Sequence, residues 1–154
     1  MKLSKNLSLS EISKSNTATR LGIDNTPSGD HLENIKFLAE NIFQPIRSHF
    51  GKPIFVSSGY RSEKLNKAIG GAASSQHCKG EALDLDNDAT NNPSNKEIFD
   101  YIVDNLKFDQ LINEFPDDEG NPSWVHVSVK ANGQNRKQIL KAVKVSGRTK
   151  YEIW

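Results

Sequence analysis

A single cysteine, Cys78, in 154 residues leaves no internal disulfide to staple the fold, so any cross-link must come from another source, such as a metal. Charge of one sign is also missing. The 20 Lys+Arg and 19 Asp+Glu give a formal charge of +1, and no block of five or more like charges occurs, which removes the electrostatic footprint of a nucleic-acid binder or a polybasic membrane arm. No run nears the roughly 18 apolar residues that span a bilayer. Residues 1–10 alternate polar and apolar, without the continuous apolar segment of a secretory signal. The chain is therefore expected to be made in the cytoplasm of its host without a signal peptide and to insert into no membrane. Apolar residues are scarce at 35%, about 41% with glycine, against the 45–50% usual for globular domains. One lean core with long polar loops follows, in a single domain over 1–154. Its expected parts are an ordered N-terminal arm (1–29), a core (30–130) and a C-terminal strand pair (131–154).

The residues Leu32, Ile35, Leu38, Ala39, Ile42, Phe43, Ile46 and Phe50 recur at spacings of three and four, which predicts one amphipathic helix from Asp30 to Phe50, bent or interrupted near Pro45. Pro53–Val56 reads as a short buried strand and Ser62–Ile69 as a short helix stopped by Gly70-Gly71. Ser94 followed three residues later by Glu97 is a capping box for a helix with Ile98, Phe99, Ile102, Val103 and Leu106 inside. Phe108–Phe115 and Trp124–Val129 are β-rich and flank the turn-forming Pro116–Pro122, which predicts a hairpin. This order predicts an α+β fold, a small antiparallel sheet with helices packed on one side.

Alternation on two of the strands singles out a set of polar side chains. In Ala82–Asp86 the two-residue period puts Leu83 and Leu85 on one face and Ala82, Asp84 and Asp86 on the other; in Trp124–Val129 the valines point to the core, so Trp124, His126 and Ser128 point away. A turn centred near Gly120 pairs residues whose numbers sum to 240, which places Glu114 opposite His126. Gln110, Ile112 and Glu114 share the face that His126 looks across. Two histidines, His77 and His126, with Asp84 and a nearby unligated glutamate match the donor set of a catalytic zinc site, which has three protein ligands and one open position.

Five segments in order, Ser58-Gly59-Tyr60-Arg61-Ser62, Leu65-Asn66, Gly70-Gly71, Ser75-x-His77-x-x-Gly80-x-Ala82-x-Asp84 and Trp124-x-His126-Val127-Ser128, closely resemble the zinc peptidoglycan peptidases of the D-Ala-D-Ala carboxypeptidase family. That family includes phage L-alanyl-D-glutamate endolysins and, more distantly, vancomycin-resistance dipeptidases and the hedgehog signalling domain. The resemblance runs from about Asn16 to Val129, with the Thr17–Asn25 arm similar to the phage-type branch. It implies a hedgehog-like peptidase fold in which His77, Asp84 and His126 hold one zinc ion. It also implies that Arg61 binds a substrate carboxylate or polarises the scissile carbonyl, assisted by Ser75. Many relatives carry the catalytic glutamate three residues before the last histidine, where this chain has Ser123. Glu114 is the substitute base, on hairpin geometry and because Gln110-Leu111-Ile112-x-Glu114 resembles a strand of the phage-type branch. Gln110, Tyr60 and Trp124 complete the expected substrate-binding set. The implied substrate is the peptidoglycan stem peptide, cut at a D,D or L,D bond by a monomeric phage endolysin or virion lysin acting in the cell wall or periplasm. A non-catalytic zinc module that binds cell wall on the same scaffold stays open as the alternative.

The remaining chemistry-bearing residues have plainer readings. Cys78 is expected as a small buried thiol, since a neighbour of His77 in extended chain points away from it. His31 and His49 are expected as packing or surface residues of the first long helix, Glu81 as solvated, and Asp86 as a second carboxylate behind Asp84.

Overall fold

In the computed structural model, which describes residues 1–154, the arm is built into the core. Strands β1 (Lys2–Ser4) and β2 (Leu7–Ser8) pair with each other and lead into two short helices, α1 (Leu9–Ser13) and α2 (Asn16–Leu21). Ser8 and Ser15 start these helices by accepting from the amides of Glu11 and Ala18, which satisfies donors that a helix N-terminus otherwise leaves bare. Leu3, Leu7 and Ile12 are buried in the main hydrophobic cluster.

The stripe from Leu32 to Phe50 forms a continuous helical segment in three registers: α3 (Gly29–Leu38), a π-helical turn (Ala39–Phe43) and α4 (Gln44–Phe50). Pro45 explains the middle one. It has no N–H to give the Asn41 carbonyl, and its ring would strike that carbonyl in a regular α-turn. Widening the turn, with the Gln44 amide donating back to Ala39, relieves both problems while keeping Leu38, Ala39, Ile42, Phe43 and Ile46 buried.

Then follow β3 (Val56–Ser58), α5 (Glu63–Ala68), a 3-10 turn (Gln76–Lys79), β4 (Ala82–Leu85), α6 (Asn95–Asn105), β5 (Gln110–Glu114), β6 (Trp124–Ser128), β7 (Gln138–Val145) and β8 (Arg148–Ile153). The capping box of α6 is present in both directions, Ser94 to Glu97 and back. The large sheet runs β3-β4-β6-β5-β7-β8 and confirms the α+β class. The expected tail strands are present, but their attachment makes the sheet mixed, because β7 pairs with β5 in parallel. The reason is topological. Strand β6 is already flanked by β4 and β5, so the tail pairs along the nearby free edge of β5. It arrives from the end of β6 that lies beside the start of β5.

One face of this sheet is apolar. Leu83, Leu85, Leu111, Val125 and Val127 are fully buried there against Ile35, Ile42, Ile98 and Phe99 of the helical layer, each contributing roughly 1.5–3 kcal/mol relative to exposure. The opposite face carries the polar residues. Its central row crosses the sheet as Asp84, His126, Ile112 and Leu140, and the next as Trp124, Glu114, Ala142 and Tyr151.

Candidate metal centre

The 3-10 turn delivers His77 from above the sheet. Ser75 caps the turn by accepting from the His77 amide, at 3.2 Å, and Gly80 closes it in the left-handed region with φ +75°. The buried imidazole places Nδ1 2.7 Å from the carbonyl oxygen of Gly59. A Cβ at Gly59 would collide with Ile12 of the arm, so glycine lets the segment after β3 lie against the arm while its carbonyl meets the ring. Asp84 in β4 pairs directly with His126 in β6. Its Oδ1 lies 3.3 Å from His77 Nε2 and 3.1 Å from His126 Nδ1, and one ligand atom from each of the three residues falls within 4.8 Å of the others.

The arrangement is short of positive charge. When Nδ1–H of His77 donates to Gly59, Nε2 of a neutral ring is a bare lone pair facing the Asp84 carboxylate, acceptor against acceptor. A proton or a metal cation resolves that opposition. Burial pushes the Asp84 carboxyl up, but the two imidazoles, through charge and hydrogen bonds, together hold it well below the usual carboxylate range. Two imidazole nitrogens and a carboxylate oxygen at this spacing form a group that could hold a metal ion.

The group sits in a cleft of about 740 Å³ whose walls include Arg61, Ser75, Gln110, Glu114 and Trp124. The structure brings these expected residues together with His77, Asp84 and His126. Glu114 is on the expected face but in a different register. Paired residues sum to 238, so His126 faces Ile112 and Glu114 faces Trp124. Asp117 is the cause, since its carboxylate accepts from the amides of Glu119 and Asn121 and centres the turn on Glu119. A shift of two residues preserves the face. Glu114 is 7% exposed, and burial raises its carboxyl to about 7, with His126 lowering it and Asp84 raising it further. Arg61 donates from Nη2 to Ser75 Oγ at 3.4 Å, while its buried Nε has no partner. Asn25 of the arm locks the segment around it, donating to the Tyr60 carbonyl and accepting from the Ser62 amide.

Tyr60 is a correction. Expected among the substrate-binding residues, it instead packs in the main core, 7% exposed, with its hydroxyl 3.1 Å from His31 Nδ1. The buried Asn25 clamp fixes its carbonyl, and the ring is not among the residues that line the cleft. Asp86 also stands apart, engaged with the Asp88 amide and the Asn95 side chain. Cys78 is buried and free and lies outside the ligand group; His49 stacks on Tyr101 at 4.2 Å.

Sequence reasoning missed the far wall of the cleft, made by Arg136, Gln138, Leu140, Thr149 and Tyr151 from the C-terminal strands and their approach. The alternation Gln138, Leu140, Ala142 was available as a signal, but only the parallel pairing to β5 shows which face it joins.

A sequence model of the family described as Peptidase M15 matches residues 5–128. The chain belongs to the Peptidase M15 family, and this class of protein is a peptidase whose candidate metal ligands here are His77, Asp84 and His126. No curated protein matches the sequence.

Proposed function

We propose that this chain is a zinc peptidase that hydrolyses stem peptides of bacterial peptidoglycan at a D,D or L,D bond, in the role of a phage endolysin or virion lysin. The observation that carries the reading is the meeting of two imidazoles on one Asp84 oxygen inside a cleft that also holds a buried carboxyl and an unsatisfied guanidinium N–H. The residues fit zinc, which favours mixed nitrogen and oxygen donors over the all-oxygen shells of magnesium and calcium. When bound, zinc supplies Lewis acidity toward the scissile carbonyl and makes water a stronger acid.

The chain's own residues supply the rest. Glu114, with its carboxyl near 7 in the metal-free protein, is poised to take a proton from the attacking water and return it to the leaving amine. Arg61 offers Nε and the remainder of its planar fork to a substrate carboxylate or to the carbonyl being attacked. Ser75 keeps that fork in place, and Trp124, tilted against Phe115 at 5.4 Å, walls the side next to Glu114.

The test is to incubate zinc-loaded protein with purified peptidoglycan and identify the fragments by mass spectrometry, beside Glu114→Gln. New amino termini from the wild type, reduced by about 10²–10⁴ in rate in the variant, are the expected result. Intact stems despite bound zinc would overturn the enzyme reading in favour of a cell-wall-binding module. A fully active variant would remove Glu114 from the role of base.

A further inference from the structure

The cleft holds a second guanidinium whose geometry is set as carefully as that of Arg61. Asp109, immediately before β5, is fully buried. Its Oδ1 accepts from the Arg136 amide at 2.9 Å and from Arg136 Nε at 3.1 Å; its Oδ2 accepts from Arg136 Nη2 at 2.8 Å and from Gln76 Nε2 at 3.0 Å. This side-on grip occupies Nε and one hydrogen of Nη2 and leaves the end of the fork, Nη1 and the other Nη2 hydrogen, without a protein partner. The Arg136 side chain is 53% exposed and lines the cleft. Lys130 Nζ, 4.0 Å from Asp109, leaves the cluster with net positive charge.

Both arginines are tied to one short segment. Arg61 donates to Ser75, and Gln76, the next residue, shares Asp109 with Arg136. Two forks thus bracket Ser75-Gln76, directly ahead of His77. A guanidinium already immobilised by a buried carboxylate gives up little side-chain freedom when it grips another carboxylate. Arg136 follows residues 5–128, the stretch that the family model matches.

We propose that Arg136, positioned by Asp109, is a specificity-determining residue that binds a second substrate carboxylate, so that the cleft selects diacidic peptides over their singly amidated forms. The inference rests on the peptidase reading above and deepens it. It is tested with synthetic stem peptides, each with one of its carboxylates amidated, titrated calorimetrically into the metal-free protein and assayed for kcat/KM with the zinc-loaded protein. Wild type is expected to lose about tenfold or more in affinity on amidation at one position, the scale of a charge-assisted pair. Arg136→Gln is expected to become indifferent at that position alone while keeping its preference at the carboxylate that Arg61 takes. The double variant Asp109→Asn with Arg136→Gln, which leaves no buried lone charge, should behave in the same way, and its melting curve reports whether it is folded. Unchanged discrimination in the folded variants would overturn the assignment. Wild type that cleaves free and amidated peptides equally would overturn it while leaving the peptidase reading standing, and wild type that binds none of them would overturn both.

Discussion

Asp84, which lines the cleft, and Asp109, which is buried behind the Arg136 wall of it, are satisfied in opposite ways. Asp109 is saturated by the chain itself, through the backbone and side chain of Arg136 and the amide of Gln76, and this outweighs burial to hold its carboxyl down to about 2. Asp84 meets only two imidazoles, groups that are as ready to accept as to donate. One carboxylate is finished as a structural joint, and the other belongs to a group that could hold a metal ion. The difference teaches how to tell a joint from a candidate site: the donors around Asp109 are fixed hydrogen-bond donors, whereas those around Asp84 are imidazoles that could themselves hold a metal ion.

The sharpest way to break the comparison is Asp84→Asn. Hydrolysis is expected to fall by at least about 10³, with zinc content by elemental analysis falling with it. Zinc in excess should raise the melting temperature of wild type by about 5–10 °C and do little for this variant. Asp109→Asn should keep the full zinc increment; if it lost that increment as Asp84→Asn does, the division between joint and site would fail.

Glu114 stands between the two cases, a buried carboxyl with no fixed donor. Its folded value of about 7 lies above the ordinary 4.5, so in the metal-free protein the folded state holds a proton that the unfolded state releases between those values. Stability should therefore be greatest below about 4.5 on this account and fall as pH rises through 7, by roughly 3 kcal/mol. Denaturant melts of the metal-free protein across that range check this, and Glu114→Gln should remove the slope. Asp109 has the opposite sign. Its contribution is present above the ordinary 3.8 and is lost as pH falls through about 2. At neutral pH Asp109→Asn should cost about 2 kcal/mol, read in the same melts. The smallest effect is expected of Tyr60→Phe, about 1 kcal/mol for the bond to His31, with kcat/KM unchanged because the ring lies outside the cleft.

The faces of Asp84 and His126 were legible because they rest on a period of two, whereas His77, on a 3-10 turn, joined them through the family resemblance. Alternation in Ala82–Leu85 and Trp124–Ser128 fixes which side chains leave the core, and any even register shift leaves that result intact. Glu114 shows the limit, because its face follows from alternation while its partner depends on where Asp117 seizes the turn, a local competition that composition does not reveal. Tyr60 was misplaced for a related reason: its ring packs in the main core and its hydroxyl meets His31, 29 residues away, a contact that local pattern does not reveal. Asp109 and Arg136 were invisible as a pair because they come from separate segments, 27 residues apart. Their pairing depends on the loop after β6 folding back across the start of β5.

The register of β4 on β6 also sets an order of events. Asp84 and His126 are 42 residues apart, and the strand that carries His126 is pinned on its other side by β5, so the third ligand arrives only after helix α6 and the hairpin have been threaded into place. Long-range pairing of this kind comes late, because loop closure must precede the contacts that reward it. During synthesis, a nascent chain that has exposed both His77 and Asp84 still has no complete cage. Capture of a metal by these three residues would therefore belong to the end of folding, as a latch that closes on a nearly native chain instead of a seed around which it collapses.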